Sequence, residues 1–527
     1  MKGTVIYIVP PAKSHRTAEE NLGVGYLASY LRKNDIKVII IDAWLGKISH
    51  KELNKRIDEI FISNVILFIG ISTYVSNIGS VSPIVTYIKQ NYNVPIVAGG
   101  FGPSFFTKEF LEIGIDIVSI GEGEITNLEL CKLFCGEITK EEVHSIAFLE
   151  EGTVRYTEKN WLISDLDQLP FPARDTMYYS IDRKSAVNIL SARGCMGHCS
   201  FCSVISFQKL SKGKLWRARS INNLLEEIEA LYNLNVDFFK VIDDSFIEYP
   251  RDELWCREFA DGLEKRNIYC RFRGSIIADY VTDGVIKELK RAGFFSFSCG
   301  IENFSPNVLL RYGKRASAEI NRKALNIFFK HGIYVQCGLI LFDPFTTMED
   351  LRINCAAMKE FWWVITKGIF TELYAAKGTS FTNKLLLDFD SGDLVVSNEN
   401  YLYKIVDPVV RNVYCALKLW HQLHSRIYDF IIDPLTAPKN ISMHAYKKLY
   451  DDYLKIHMVD LEIFEKLIML SDGGESKEKM MNFVNELNYT YKNVYVMAWN
   501  DAMSVYENEH LYYDGSTNKY LTNKTEE

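Results

Sequence analysis

Two long stretches in which short apolar strands alternate with amphipathic helices fix the class of fold before any single residue is interpreted. In the first, residues 4–9, 37–41, 65–71, 95–98 and 115–120 read as buried strands, and residues 21–33, 51–62 and 81–91 carry apolar side chains at helical spacing. Strands that are apolar throughout and separated by helices specify a parallel sheet covered on both faces. In the second stretch, residues 187–191, 238–242, 269–273, 295–300, 334–341 and 368–373 read as strands. Helices over 220–233, 251–266, 283–292 and 321–331 lie between them. Six such β/α units suit a partial barrel. From about residue 400 the pattern is helical alone, over 409–428, 443–460 and 477–489. A chain of 527 residues is too long for one core. The expected architecture is therefore α/β and multidomain: a Rossmann-like domain over 1–135, a charged linker over 136–185, a barrel over 186–400, a helical domain over 401–514 and a disordered tail over 515–527.

Parallel α/β sheets and barrels place their ligands at the carboxyl ends of the strands. In the first domain those ends hold Ser72-Thr73-Tyr74, Gly99-Gly100-Phe101-Gly102 and Gly121-Glu122-Gly123-Glu124, and paired glycines after a strand admit a ligand close to the backbone. In the barrel, the first strand leads into Leu190-Ser-Ala-Arg-Gly-Cys-Met-Gly-His-Cys-Ser-Phe-Cys-Ser203, which places Cys195, Cys199 and Cys202 at C-x3-C-x2-C spacing. Four thiolates would close a tetrahedral zinc site or saturate a cubane iron–sulfur cluster. Three on one tight loop leave a metal position open, which suggests chemistry rather than scaffolding. The alternative is a zinc loop completed by His198 or a distant residue, or three cysteines buried merely as apolar groups.

Eight further cysteines are scattered through the chain, an odd total of 11, which points to a reducing compartment rather than a disulfide framework. No signal peptide is recognisable and no apolar run approaches the ~20 residues of a membrane span, so the cytoplasm is the expected location. A net charge of −7 with no Lys/Arg-rich run argues against nucleic-acid partners and leaves small molecules and peptides as substrates.

The cysteine run, with Phe201 before its last cysteine, resembles the signature of the radical S-adenosylmethionine (SAM) superfamily. The resemblance implies a [4Fe–4S] cluster on Cys195, Cys199 and Cys202, whose fourth iron chelates SAM. One electron, from an external donor such as flavodoxin or ferredoxin, then cleaves a C–S bond to give a 5′-deoxyadenosyl radical. It also assigns SAM contacts to Phe201 and to strand-end groups: Asp243 and Asp244, Arg273 and Ser275, and Glu302. Asp244, Ser275 and Asn303 can equally be simple caps, and the Phe342-Asp343-Pro344 sequence departs from the usual adenine-side motif.

The first domain resembles the cobalamin-binding domain that precedes many radical SAM barrels, through Pro10-Pro11, residues 22–31, Ile41-Asp42-Ala-Trp44-Leu-Gly46, Ala98-Gly-Gly100 and Gly121–Glu124. This implies cobalamin contacts at Ser72, Thr73, Gly99, Gly100, Gly121 and Glu122. Trp44 stands where some cobalamin domains carry the histidine that ligates cobalt, so a bound cobalamin would lack that ligand. The implied activity is functionalisation of an unactivated carbon, foremost cobalamin-dependent C-methylation of a natural product or peptide. Radical rearrangement, cyclisation or dehydrogenation, with or without cobalamin, is the alternative, and a non-catalytic iron–sulfur sensor a third class. Arg174 or Asp175, after Pro170 and Pro172, is expected either to face a cofactor or to form a linker ion pair. His421 and His424 are expected to be solvent or packing residues, and the helical domain to cover the barrel mouth.

Overall fold

The computed structural model describes residues 3–11, 19–74, 78–389, 394–396, 400–437 and 439–511. The proposed tail over 515–527 lies outside them. The first domain is a seven-stranded sheet: β1 (Thr4–Val9), β2 (Lys37–Asp42), β3 (Ile66–Ser72), β4 (Ile96–Gly99), β5 (Ile117–Ser119), β6 (Ile146–Glu150) and β7 (Thr153–Tyr156), in the order β2-β1-β3-β4-β5-β6-β7. The first five are parallel. Every residue of β1 is buried, and separate apolar clusters cover the two faces of the sheet, as an all-parallel core requires. The order reverses between β1 and β3, which is the switch point at which such sheets open a crevice.

The expected linker over 136–185 is not wholly a linker. Ile146–Glu150 and Thr153–Tyr156 add to the first sheet as an antiparallel pair. Their charged residues fall on an exposed edge, which is why composition alone reads as loop.

The second sheet holds β8 (Val187–Ile189), β11 (Phe238–Val241), β12 (Arg271–Ile277), β13 (Phe294–Glu302) and β14 (Tyr334–Leu339), parallel and in chain order across the arc. A short antiparallel ribbon of β9 (Ala192–Arg193) and β10 (Arg217–Ala218) branches from its first loop. The expected sixth strand over 368–373 contributes an isolated parallel bridge, Glu372 to Phe342, and a second bridge joins Gln336 to Ile365 just before it. The helices that follow these strands start at side-chain caps: Ser220, Asp252, Thr282, Ser317 and Thr347 each accept a backbone N–H of the first turn.

Three long helices, Pro408–Thr436, Met443–Asp472 and Lys477–Asn508, follow and end the described residues but for the last few. They do not cap the barrel mouth as expected. Arg271, the first residue of β12, donates to the Ile441 carbonyl at 2.7 Å, and Tyr334, the first residue of β14, packs on Tyr446 with ring centroids 4.8 Å apart. The bundle therefore closes the amino-terminal side of the strands. The mouth is approached instead by β15 (Ala375–Ala376), β16 (Leu394–Val396), β17 (Asn400–Tyr403) and the helix Ser380–Asp388, since Phe381 donates its N–H to the Ser200 carbonyl at 2.8 Å.

Candidate active site between the two sheets

A cavity of about 350 Å³ opens between the carboxyl edges of the two sheets. On one side its wall is Gly70–Ser72, Gly99–Phe101 and Gly121–Glu124; on the other it is Leu190, Arg193, Gly194, Phe207 and Asp244. The lower wall is kept open by missing side chains. A Cβ on Gly70 would fall 2.6 Å from the Tyr7 ring, and Tyr7 is fixed by donating to Asn127 at 2.8 Å. Gly100 and Gly121 have φ of +100° and +77°, which only glycine adopts without strain.

Ser72, Gly99, Gly100, Gly121 and Glu122 thus line the cavity. Thr73 does not: its hydroxyl donates to Tyr74, its N–H to Gly99 and its carbonyl accepts from Gly102, so the turn consumes its polar groups. Trp44 packs on the core beneath β1 and is not part of the wall. Arg174 and Asp175 form ion pairs rather than facing the cavity. Arg174 holds Glu20 and, at 2.6 Å, Glu227, and Asp175 takes Arg32 at 2.6 Å.

The three cysteines follow directly on Arg193 and Gly194. A Cβ on Gly197 would lie 3.2 Å from the Cys195 sulfur and 3.9 Å from that of Cys199, so the loop curls two of its sulfurs close around this glycine. Cys202 caps the helix Ser203–Gln208, where its sulfur faces the N–H groups of Val204 and Ile205. Burial pushes all three thiols up, Cys195 to about 12. Thiols so shifted stay protonated at neutral pH until a metal displaces the proton. Among the described residues, no three His, Cys, Asp or Glu side chains converge on a single-ion site, and His198 is exposed.

Comparison with known proteins agrees with this arrangement. Residues 14–131 match the B12 binding domain family and residues 189–353 the radical SAM superfamily. This chain is a radical SAM enzyme with a B12-binding domain. The enzyme is 25% identical over 456 residues to the uncharacterized methyltransferase PH0819 of Pyrococcus horikoshii, covering 84% of this chain and 95% of that protein. It is 28% identical over 324 residues to an anaerobic magnesium-protoporphyrin IX monomethyl ester cyclase of Synechocystis, covering 60% of this chain and 62% of that one. Its fold matches the cobalamin-dependent SAM radical enzyme OxsB, solved with aqua-cobalamin and SAM bound, at a TM-score of 0.79 and 20% identity over 99% of this chain and 84% of that one. The cofactors of this radical SAM enzyme are accordingly a [4Fe–4S] cluster, SAM and cobalamin. No helix among its described residues is long and apolar enough to cross a membrane.

The SAM contacts expected from sequence separate into two groups. Asp244 opens into the cavity while ringed by protein; burial raises its carboxyl to about 6, and it accepts the Gly194 N–H at 3.2 Å. Glu302 ends β13 with φ +63°, a backbone state that persists for a non-glycine residue only where its surroundings hold it. Burial raises its carboxyl, and Lys314 opposes that from 3.5 Å. A Cβ on Gly300 would fall 2.9 Å from a Glu302 oxygen, so that glycine makes room for the carboxylate. Ser275 is half-buried on β12. Phe201 packs on Tyr312, centroids 5.1 Å apart.

Asp243 and Arg273 are elsewhere. Asp243 is enclosed, accepting the N–H and hydroxyl of Ser191 and facing Arg251 at 3.7 Å; it pins the first two barrel strands together. Arg273 lies well inside β12, which runs to Ile277, four residues beyond the expected end. It bonds Gln336 at 2.6 Å and the Leu435 carbonyl at 3.4 Å, toward the bundle. Asn303 and Asp343 act as caps, binding the Ser305 and Phe345 N–H groups at 2.8 and 2.7 Å. His424 donates its Nδ1–H to the Trp420 carbonyl at 2.9 Å and stacks on Tyr495, and His421 stacks on Tyr428, so both are packing residues. Sequence reasoning quoted Arg193 within the cysteine run but gave it no role; its only signal was its place two residues before Cys195.

Proposed function

We propose that the enzyme methylates an unactivated carbon of a small natural product or peptide, using cobalamin held in the cavity between its sheets. Cys195, Cys199 and Cys202 would carry the cluster, with Phe201, Asp244, Ser275 and Glu302 on the SAM side. Ser72, Gly99, Gly100, Gly121 and Glu122 would form the cobalamin wall. The observation that carries the reading is that one cavity is walled both by the glycine edge of the first sheet and by Arg193, Gly194 and Asp244 beside the cysteine loop. When bound, the cluster supplies an electron that breaks a C–S bond of SAM, and cobalamin carries a transferable methyl group.

The chain's own residues have three tasks. The cysteine loop fixes three corners and leaves the fourth to a ligand. The Asp244 carboxylate suits an ammonium group, to which such bonds are strong. The glycine wall lets a flat, bulky ligand approach the backbone. The electron would come from an external donor such as flavodoxin or ferredoxin. The similarity to a cyclase supports a second outcome, ring closure without methyl transfer, on the same two cofactors.

The test is cofactor content of anaerobically reconstituted protein supplied with hydroxocobalamin. About four irons per chain with one equivalent of cobalt supports the reading, and iron without cobalt removes methyl transfer from it. Replacing Cys195, Cys199 and Cys202 together by alanine should abolish iron and SAM cleavage in a folded protein; retained SAM cleavage refutes the cluster assignment.

A further inference from the structure

Both oxygens of Glu122, which the sequence assigns to cobalamin, are already engaged. Arg193 and Arg217 stand opposite one another across the β9–β10 ribbon. Arg193 donates to Glu122 at 3.0 Å and to Glu124 at 2.6 Å, while Arg217 reaches both Glu122 oxygens, one at 3.0 Å. The Arg193 guanidinium also lies 4.9 Å from the centre of the Tyr26 ring. The acids follow β5 of the first domain, and the arginines belong to the β9–β10 ribbon that branches from the first loop of the barrel. All four side chains are largely buried, Arg217 to 1% exposure. Burial alone would raise the Glu122 carboxyl, yet the two guanidinium charges hold it below its ordinary value.

The two ends of this bridge lead to the two cofactor sites without slack. Gly121, Glu122, Gly123 and Glu124 line the cavity, and a Cβ on Gly121 would fall 2.8 Å from the Ser211 hydroxyl. On the other side Arg193 continues through Gly194 into Cys195. Gly194 has φ +91°, and a Cβ there would fall 1.9 Å from the Leu215 carbonyl, on the strand connection to Arg217. Close-packed contacts of this kind move together or not at all, because packed interfaces switch between discrete arrangements rather than deforming. We propose that the Glu122/Glu124–Arg193/Arg217 bridge couples the two cofactor sites, so that filling the cavity with cobalamin and binding SAM at the cysteine loop strengthen each other. The proposal rests on the site assignments made above and makes the two glutamates and two arginines positioning residues rather than catalytic ones.

Coupling of this kind is reciprocal: SAM must tighten cobalamin by the same factor as cobalamin tightens SAM, and measured cases run from roughly 5- to 150-fold. The experiment uses full-length, iron-reconstituted protein under anaerobic conditions. Hydroxocobalamin is titrated by visible absorbance with and without saturating SAM, and SAM by equilibrium dialysis with and without cobalamin. The wild type should show the same factor, roughly five or more, in both directions. Glu122→Gln should bring it close to one, and so should Arg217→Lys, which keeps the charge but removes the fork that grips both oxygens; the lysine variant guards against misfolding of the first. Iron per chain should stay at the wild-type level in Arg217→Lys. Loss of iron from Glu122→Gln with cobalamin binding retained would also support the bridge, since Glu122 touches no cysteine. A factor of one in the wild type, or an unchanged factor in both variants, overturns the proposal. Failure of the parent assignments shows separately, as a wild-type chain that takes up no cobalt or no iron, and it overturns the coupling with them.

Discussion

Gly99 is the wall position where the cobalamin assignment can be tested by sterics alone. It ends β4 and faces the cavity. A Cβ built there meets only Ser119, at 3.6 Å, an ordinary contact, and its φ lies outside the left-handed region. Neighbouring glycines lack this freedom: Gly100 and Gly121 have positive φ, and at Gly70 the added atom meets the Tyr7 ring. Valine at 99 suits a strand and directs its methyl groups into the space a ligand would fill. Overpacking of a filled site costs about 1–3 kcal/mol, which at about 1.4 kcal/mol per decade is a roughly 5- to 150-fold weaker affinity. The folded apoprotein should change by under about 1 kcal/mol, because the new atoms enter open space rather than packed core. The assay is a hydroxocobalamin titration of Gly99→Val beside the wild type, with iron content and urea unfolding measured on both. Reduced cobalamin affinity with unchanged iron and unchanged stability is the expected result. Wild-type affinity would show that the cavity does not hold the cofactor.

Three further expectations concern packing and pH. Gly70→Ala, unlike Gly99→Val, should lower stability by about 1–3 kcal/mol, since Tyr7 is 2% exposed and held by Asn127; an unchanged urea midpoint contradicts this. Asp460 is buried and accepts hydrogen bonds from Trp420, Tyr428 and Tyr495 at 2.7–2.8 Å, and burial outweighs these donors to raise its carboxyl from 3.8 to about 6. With the folded value above the unfolded one, its contribution to stability falls as pH rises from 4 through 6. Asp460→Asn, which keeps an acceptor, should then gain up to about 3 kcal/mol at pH 8 and little at pH 4, and destabilisation at pH 8 in urea melts would refute it. His457 is fully buried with neither ring nitrogen hydrogen-bonded, and burial lowers it from 6.5 to about 4. It is neutral in the fold, so stability is lost as pH falls from 6.5 toward 4. His457→Leu should flatten that acid limb by up to about 3 kcal/mol, and an unaltered limb would count against the reasoning.

The parallel strands and the cysteine loop were legible because both obey local rules. Continuous apolar runs such as Thr4–Val9 have one folding solution once helices flank them, and three cysteines within eight consecutive positions need no tertiary information to be close. What failed was the direction of single side chains. Asp243 and Asp244 are adjacent in a strand-end loop, yet one is enclosed by Ser191 and the other opens to the cavity. Arg273 was misplaced because β12 runs four residues further than its last bulky apolar residue before Gly274 suggested, which moves the strand end, and with it the ligand edge, to Ile277. Glu122 lines the cavity, but nothing in the sequence near it announces two arginines 71 and 95 positions away. The charged pair β6–β7 was read as linker because β7 is exposed or half-buried along its whole length and the last two residues of β6 are exposed with it, so neither shows the buried–exposed alternation that marks a strand.

The position of the bundle changes where specificity can reside. A side chain that discriminates between substrates must reach the carboxyl edge of the strands, where Cys195, Asp244 and Glu302 lie. The bundle contacts the opposite edge: Leu435 accepts from Arg273, Ile441 from Arg271, and Tyr446 packs on Phe295 and Tyr334. Those contacts fix the lower barrel, while Tyr414 of the first long helix packs on Phe342 at the other end, ring centroids 5.3 Å apart. The segment between barrel and bundle is placed differently. Ser380 and Phe381 both bond the Ser200 carbonyl, between two of the three cysteines. Tyr403 donates to the carbonyls of Phe342 and Leu373 at the ends of the last two strand segments. Lys377 pairs with Glu109 of the first domain at 2.9 Å. This region thus touches the cysteine loop, the barrel mouth and the B12-binding domain at once, and substitutions along residues 377–389 and 400–403 should alter the outcome of the reaction more directly than any change in the three long helices beyond residue 430.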